Sequence, residues 1–273
     1  MTDHSIPRTT IVAVLVATTA ALVGRAWLQV RLQQGGLPSQ TAADLSYLVV
    51  PVVLVFLLFP MWRSEKPFLI AQFLRADLCW RIALRAMIIG LLLRIIAWCQ
   101  LIGGVSFGIY SSDDMNTLVG PVFKFQCATP ELVLLGILVM AILVPVIEEV
   151  VHRGYVLSVL RNRGIIVSVL VSAVVFAVFH RMSSWSFVFL AGLVFGTQYW
   201  YTHSLWASVI SHATINGLIQ IDWRCLSGRW NPRAEDIPVL LPGIIATALL
   251  IGCFVTIVAL LQGMATEARN TPR

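Results

Sequence analysis

Four ionisable side chains stand close together inside an apolar run of the sequence: Glu148, Glu149, His152 and Arg153. An ionised side chain at the centre of a bilayer costs about 2.5–3.5 kcal/mol, so such a cluster needs partners or a function. On a helix, Glu149 and Arg153 are four residues apart and share a face, in the order that favours an ion pair. Glu148 lies about 100° round the helix, on the side of His152. The spacing predicts that Arg153 neutralises Glu149 and that Glu148 stays without a partner in its helix.

A further histidine and a polar pair lie at the edge of or within apolar runs. His180 ends one run, and His212 lies four residues before Asn216, so these two share a helix face. Counted at about 1.5 Å per residue from the turns between helices, Glu148 and His180 lie roughly 18–25 Å from the same membrane face. His212 lies roughly 13 Å and Asn216 about 20 Å from it. We therefore expect all four side chains to meet in one polar cavity.

The composition is that of an integral membrane protein. Of the 273 residues, 58% are hydrophobic and only 12% are charged, whereas soluble domains have about 25% charged residues. The net charge of +6 comes from scattered arginines between apolar runs, which favours a topology signal over a nucleic-acid-binding surface. The five cysteines form no CxxC pair, so the sequence predicts neither a structural zinc motif nor a redox motif.

The apolar runs predict an all-α fold, a polytopic membrane bundle of about eight transmembrane helices. The predicted spans are 11–30, 45–62, 82–102, 131–152, 165–181, 185–202, 205–221 and 237–261. The first resembles a signal sequence but has no convincing cleavage site, so we expect it to remain in the protein. We divide the one membrane domain into N-terminal helices (1–130), a catalytic core (131–221), and a loop with the last helix (222–273).

Several single residues predict local features of this bundle. Pro145 has no backbone N–H and frees the carbonyl of Ala141, so we expect a kink just before the acidic pair. Arg94 is deep in the third span and is expected to face a glutamate of the fourth. Arg85 and Arg25 are expected to reach toward the membrane surface. Gly192 and Gly196 form a GxxxG pattern, which favours close packing of the sixth helix on a neighbour.

Arginine distribution predicts the orientation. The segments 63–81 and 153–163 are rich in arginine, whereas 103–130 carries two aspartates and one lysine. The positive-inside rule then places both termini in the cytoplasm. We expect the membrane that holds the protein to be the plasma membrane. Three arginines in the loop 222–236 oppose this orientation.

Cys127 and Cys225 would then both lie on the outer face, just before the fourth helix and just after the seventh. An oxidising outer compartment would permit a disulfide between them, and the alternative is two unrelated loop cysteines.

Taken together, three motifs resemble the signature of the CPBP family, the CAAX proteases and bacteriocin-processing (Abi) proteins. The EExxxR pattern is met from Glu148 to Arg153, FxxxH from Phe176 to His180, and HxxxN from His212 to Asn216. The resemblance covers about 70 residues, in the family's order and on apolar helices. It implies an intramembrane glutamic endopeptidase that acts on a membrane-associated or lipidated protein or peptide, without a cofactor or metal and without nucleic acid.

The resemblance also implies roles for individual residues. Glu148 would be the catalytic glutamate, and His180 would share in activating water. His212 and Asn216 would stabilise the oxyanion, while Glu149 and Arg153 would hold the helix and orient the site. His152 occupies a variable position of the motif and is expected to be structural.

Other interpretations remain open at this point. The charged cluster could be only a buried ion pair that locks two helices together. Glu148, His180 and His212 are suitable zinc ligands by type, which would make the chain a metal-dependent membrane hydrolase. A di-iron site would require a second ExxH motif, and the sequence has none. The chain could also be a non-proteolytic immunity or binding protein that uses the same polar cavity.

Overall fold

The computed structural model describes residues 11–66, 70, 71, 73, 80–110, 129–220 and 241–270, and these contain helices and no strand. In chain order, the helices are α1 (Ile11–Gln34), α2 (Ser39–Ser46), α3 (Val49–Ser64), α4 (Trp80–Ser106), α5 (Pro130–Leu157), α6 (Ile165–Val178), α7 (Trp185–Thr202), α8 (Leu205–Gln220) and α9 (Leu241–Asn270). The predicted all-α fold is confirmed.

Five segments are long and apolar enough to cross a membrane: Ile11–Gln34, Thr41–Ser64, Trp80–Ser106, Pro130–Leu157 and Leu241–Arg269. They identify an integral membrane protein. Helices also occupy the other three predicted positions, α6, α7 and α8, but α6 has only 14 residues. Both α7 and α8 bury polar side chains, among them Gln198, Ser208 and Ser211. These polar side chains lower the mean hydropathy of α7 and α8. They can be buried because their hydrogen-bond partners also lie inside the bundle.

The predicted span 45–62 contains a break that the sequence analysis did not anticipate. Tyr47 and Leu48 form a turn between α2 and α3. Pro51 follows in the first turn of α3, where its missing N–H costs nothing because that group has no intrahelical acceptor. The amide of Val50 instead bonds the carbonyl of Tyr47 at 3.1 Å. The turn fixes the backbone of Tyr47, a residue that lines the same cavity as Glu148.

Helix α5 is not a uniform α-helix around Pro145. Wider π-helical stretches, Ile137–Leu143 and Val150–Leu157, flank a short α-helical segment. The amide of Val144 bonds the carbonyl five residues back, that of Val139. In this register, the carbonyl that Pro145 leaves without a backbone donor is Met140 and not Ala141. The ideal α-helical register gives Ala141 instead, and the two differ by one residue because the helix is wider there than an ideal α-helix.

Glycines allow two pairs of helices to approach closely, α4 with α8 and α6 with α7. Helix α9 packs along α4, α7 against α6, and α8 against α4. A Cβ atom added to Gly90 of α4 would lie 2.5 Å from the carbonyl oxygen of Ser211 in α8. A Cβ atom added to Gly192 would lie 3.0 Å from the Cα atom of Ala173 in α6. The GxxxG pattern therefore lies against α6 within the same chain.

Three arginines outside the acidic cluster have defined neighbours. The guanidinium of Arg94 lies 5.3 Å from the ring centre of Trp98 in its own helix, and the ion pairs of the two α5 glutamates go to Arg153 and His212 among the described residues. Arg94 is buried inside the bundle, and that it faces one of those glutamates stays a prediction. Arg85 bonds Glu267 of α9 at 2.8 Å. The guanidinium of Arg25 lies 3.4 Å from the ring centre of Tyr47.

Two apolar clusters flank the junction of α5 to α8. One contains Ile89, Leu93 and Phe195, and the other contains Leu54, Val151 and Tyr155. The polar side chains of the predicted site lie where the two clusters adjoin. Cys127, Cys225 and the loop 222–236 lie outside the described residues, so the disulfide and the orientation stay predictions.

Candidate active site

Glu149 and Arg153 form an ion pair with both side chains fully buried. Nη1 of Arg153 donates to Oε1 of Glu149 at 3.0 Å, and Nη2 donates to the carbonyl of Gly192 at 3.1 Å. The guanidinium also lies 4.6 Å from the ring centre of Phe176. The close approach of α7 at Gly192 brings that carbonyl within reach. Arg153 thus neutralises Glu149 and ties α5 to α7.

His212 of α8 lies between the two glutamates. Its Nδ1 is 2.9 Å from Oε1 of Glu149, and because a carboxylate only accepts hydrogen bonds, Nδ1 carries the hydrogen. Its Nε2 is 3.8 Å from Oε2 of Glu148, which is too long for a hydrogen bond. The ring is stacked on Phe195 with a centre-to-centre distance of 5.0 Å. Glu149 therefore fixes the ring of His212 and directs Nε2 toward Glu148.

Glu148 faces a cavity and keeps its carboxylate available. Its side chain is 17% exposed, whereas that of Glu149 is fully buried. Within the described part of the chain it makes no hydrogen bond, and its nearest ionisable neighbour is His212. Two adjacent carboxylates thus have different environments: Oε1 of Glu149 accepts from both Arg153 and His212, whereas Glu148 is free to bind a water molecule.

His180 follows the end of α6, and the end of that helix determines its orientation. Carbonyls in the last turn of a helix have no intrahelical donor, and Nδ1 of His180 lies 2.8 Å from the carbonyl of Phe176. Since a carbonyl accepts, Nδ1 carries the hydrogen, and the neutral ring keeps a lone pair on Nε2. Nε1 of Trp185 holds the same turn by donating to the backbone carbonyl of His180 at 2.9 Å. Nε2 of His180 is therefore an acceptor available to the cavity.

Asn216 donates one N–H to the carbonyl of Met140 at 2.8 Å. This is the carbonyl that Pro145 leaves without a backbone donor in the π-helical register. An asparagine amide has two N–H groups, so the second can donate to a group in the cavity. The proline that precedes the acidic pair thus orients the amide of α8 across the site.

One cavity of about 90 Å³ brings the four predicted catalytic side chains together. Several apolar residues and Tyr47, from the turn before α3, also line this cavity. The four are Glu148, His180, His212 and Asn216. A site for one water needs only about 10–15 Å³ on this measure, so the cavity has room for water or part of a ligand. Glu149 and Arg153 lie behind its polar wall.

Phe176 contacts more of the site than its sequence position indicated. Its ring centre lies 4.8 Å from that of His180, 5.7 Å from His212 and 5.1 Å from His152. His152 is buried against this ring and does not line the cavity, as a structural residue would be. A phenylalanine in an apolar helix carries no signal for such contacts.

A zinc site receives no support from the placement of possible ligands. Over the described ranges, no group of three His, Cys, Asp or Glu side chains is placed to hold a metal ion.

Pro145→Ala tests the link between the proline and the amide of Asn216. Alanine would supply an N–H that competes with Asn216 for the carbonyl of Met140, so the amide would lose its fixed orientation. If Asn216 supports turnover, we expect kcat for the natural substrate to fall about tenfold with little change in KM. Pro51→Ala, at the start of α3, is the matched control. An unchanged kcat in Pro145→Ala would contradict this role of the proline.

Comparison with known proteins was made on the whole chain. No curated protein and no solved structure matches it. Residues 130–218 match the family described as type II CAAX prenyl endopeptidase Rce1-like. This segment contains all six residues of the predicted site, while α1 to α4 and α9 lie outside it. The resemblance carried by the three short motifs is therefore confirmed: residues 130–218 are similar to the CAAX-protease (CPBP) family.

Proposed function

We propose that this chain is an intramembrane endopeptidase that hydrolyses a peptide bond of a membrane-associated or lipidated protein or peptide. One observation carries the proposal: Glu148 and His180 face the same cavity while the charge of Glu149 is neutralised by Arg153. The family of residues 130–218 is one of endopeptidases, which agrees with this chemistry. A purely structural ion pair would account for Glu149 and Arg153 but gives no role to Glu148.

Glu148 and Nε2 of His180 would hold a water molecule between them. As the water oxygen bonds to the carbonyl carbon of the peptide, its proton passes to Glu148, which acts as general base. His180 accepts a hydrogen bond from the same water and orients it. When the C–N bond breaks, Glu148 returns the proton to the departing amine, so the two products are a carboxylic acid and an amine. No covalent intermediate with the protein is needed.

Asn216 and His212 would stabilise the negative oxygen that develops on the attacked carbonyl. The free N–H of Asn216 is one donor. His212 can donate from Nε2 only as an imidazolium because its Nδ1–H is already given to Glu149. In that form the ring keeps its Nδ1–H bond to Glu149, much as a buried carboxylate orients the histidine of a hydrolytic triad. Glu149 would therefore orient the oxyanion donor as well as pair with Arg153.

The cavity walls favour an apolar substrate segment. They include Val144, Val188, Ile215 and Ile219, on three different helices. Aliphatic side chains or part of a lipid attached to the substrate would be buried there. In this arrangement residues 131–221 are the catalytic core, 1–130 and 222–273 surround it, and both termini lie in the cytoplasm of a cell whose plasma membrane holds the protein.

Comparison of membrane proteins from cells with and without the activity tests the function without knowledge of the substrate. Cells that lack the chain would be supplied either with the wild type or with Glu148→Gln, and the termini of all membrane proteins compared by mass spectrometry. We expect at least one precursor to be cut only in the wild-type cells. Glu131→Gln, an exposed acid at the start of α5, is the matched control and should behave as wild type. Identical sets of termini in all strains would overturn the proposal.

A further inference from the structure

Arg25 is a cation within a membrane-spanning helix and has no acidic partner among the described residues. It lies 14 residues after the start of α1, about 21 Å along the helix axis. Its side chain is half-buried, and its Nε atom is buried without a hydrogen-bond partner. By contrast, Arg85 and Arg153 are each paired with a glutamate. A charge kept at this depth without a counter-ion is costly, so an anionic group from outside the chain would stabilise it.

The position of Arg25 relates it to the cavity. Its guanidinium lies 3.4 Å from the ring centre of Tyr47, and Tyr47 lines the same cavity as Glu148 and His180. The hydroxyl of Tyr47 has no hydrogen-bond partner in the described part of the chain. A cation and a free phenol thus adjoin the cavity that contains the groups proposed to cleave the peptide.

The stacking on Tyr47 leaves the guanidinium able to bind an anion. When a guanidinium lies over an aromatic ring, its N–H groups point outward in its own plane. Two of them match the two oxygens of a carboxylate. The cavity is only about 90 Å³, so a peptide bound at Glu148 needs only a few residues, each spanning up to about 3.5 Å, to reach Tyr47.

We propose that Arg25, positioned by Tyr47, binds a carboxylate of the peptide substrate and so determines which peptides are accepted. The inference rests on the proposed function, since it concerns the same cavity. The carboxylate would belong either to the end of the peptide chain or to an acidic side chain. Both have the same chemistry, and the test separates them.

Binding to the full-length chain tests this proposal separately from catalysis. Glu148→Gln protein in phosphatidylcholine nanodiscs keeps the probes intact whether or not the wild type cleaves them. The probes are three farnesylated CAAX hexapeptides: one with a free terminal carboxylate, one with a terminal amide, and one amide with glutamate as its last residue. We expect one of the two carboxylate peptides to bind with a Kd about tenfold lower than that of the neutral amide. Which of the two it is identifies the source of the carboxylate.

Substitutions then assign the preference to Arg25. In Arg25→Gln, the Kd of the neutral amide divided by that of the preferred carboxylate peptide should fall to about one. Arg25→Lys should restore part of this ratio. Arg31→Gln is the matched control because Arg31 is exposed on the same helix over the ring of Trp27, and it should keep the full ratio. Melting temperatures show whether each variant is folded, and a loss of fold alone would not change the ratio selectively.

Three outcomes would overturn the proposal. The first is that, with Arg25 intact, the neutral and carboxylate peptides bind with the same Kd or that none of them binds. The second is a preference that survives in folded Arg25→Gln. The third is competition by phosphatidylglycerol in the nanodisc that disappears in Arg25→Gln, which would make a lipid phosphate the occupant. Each of these leaves the cleavage test with Glu148→Gln standing, so the two proposals fail separately.

Discussion

Replacing Glu148 with glutamine is expected to abolish hydrolysis while leaving the helix bundle folded. Glutamine has nearly the same size, but its amide cannot take a proton from water. General acid–base catalysis contributes about 10²–10⁴-fold to a rate, so we expect kcat to fall by about that factor. The side chain makes no hydrogen bond within the described residues and is partly exposed to the cavity, so the melting temperature should change little.

The measurement is cleavage by purified protein of the precursor that accumulates in cells lacking the activity. Glu131→Gln makes the same chemical change on the same helix at an exposed position and should leave kcat unchanged. Wild-type turnover in Glu148→Gln would exclude Glu148 as the base. A low rate accompanied by loss of the folded state would instead assign Glu148 a structural role.

Replacing Arg153 with alanine is expected to have the largest effect on stability. Its side chain is fully buried, as is that of Glu149. Its loss leaves the carboxylate without its cation and the carbonyl of Gly192 without its donor. Removing one partner of a buried ion pair typically costs about 3–5 kcal/mol. We expect a loss of this size in the free energy of unfolding, measured by denaturation of the protein in detergent.

A second substitution separates the ion pair from the packing of the arginine side chain. Adding Glu149→Gln to Arg153→Ala removes the unpaired charge and should restore part of the stability. Arg163→Ala, at an exposed position in the turn after α5, is the control for loss of an arginine and should cost little. A double variant no more stable than Arg153→Ala would show that charge compensation is not what Arg153 contributes.

Much of the site could be predicted because polar residues in apolar helices are rare and costly. The spacing of four between Glu149 and Arg153 predicts an ion pair, and the structure has it at 3.0 Å. Counting residues from the turns placed Glu148, His180, His212 and Asn216 at overlapping depths, and one cavity contains all four. Spacing along a helix was sufficient here because a helix has a fixed rise per residue.

Contacts between helices could not be predicted in the same way. The spacing of His212 and Asn216 shows that they share a face, but not that Nδ1 of His212 donates to Glu149, 63 residues earlier. Similarly, Arg25 and Tyr47 reach the site from a part of the chain without any of the three motifs. Such contacts depend on how α1 and α8 pack against α5, and no local pattern encodes that packing.

The one-residue difference at Pro145 has a different physical origin. An ideal α-helix pairs each carbonyl with the amide four residues later, and that rule gives Ala141 as the free carbonyl. The π-helical stretch lengthens the spacing to five and gives Met140. The carbonyl of Met140 then holds Asn216 in place. Single-turn π-helical features occur often at functional sites, but sequence alone does not show where the register widens.

The central claim is that water held by Glu148 and His180 attacks the peptide bond directly, and cleavage in water labelled with oxygen-18 tests it. The purified wild type would be mixed with a limiting amount of precursor, and both product and protein analysed by mass spectrometry after one turnover. We predict one oxygen-18 atom in the new carboxylate of the product and none in the peptide that contains Glu148. An unlabelled product, label in Glu148, or no cleavage at all would contradict the claim.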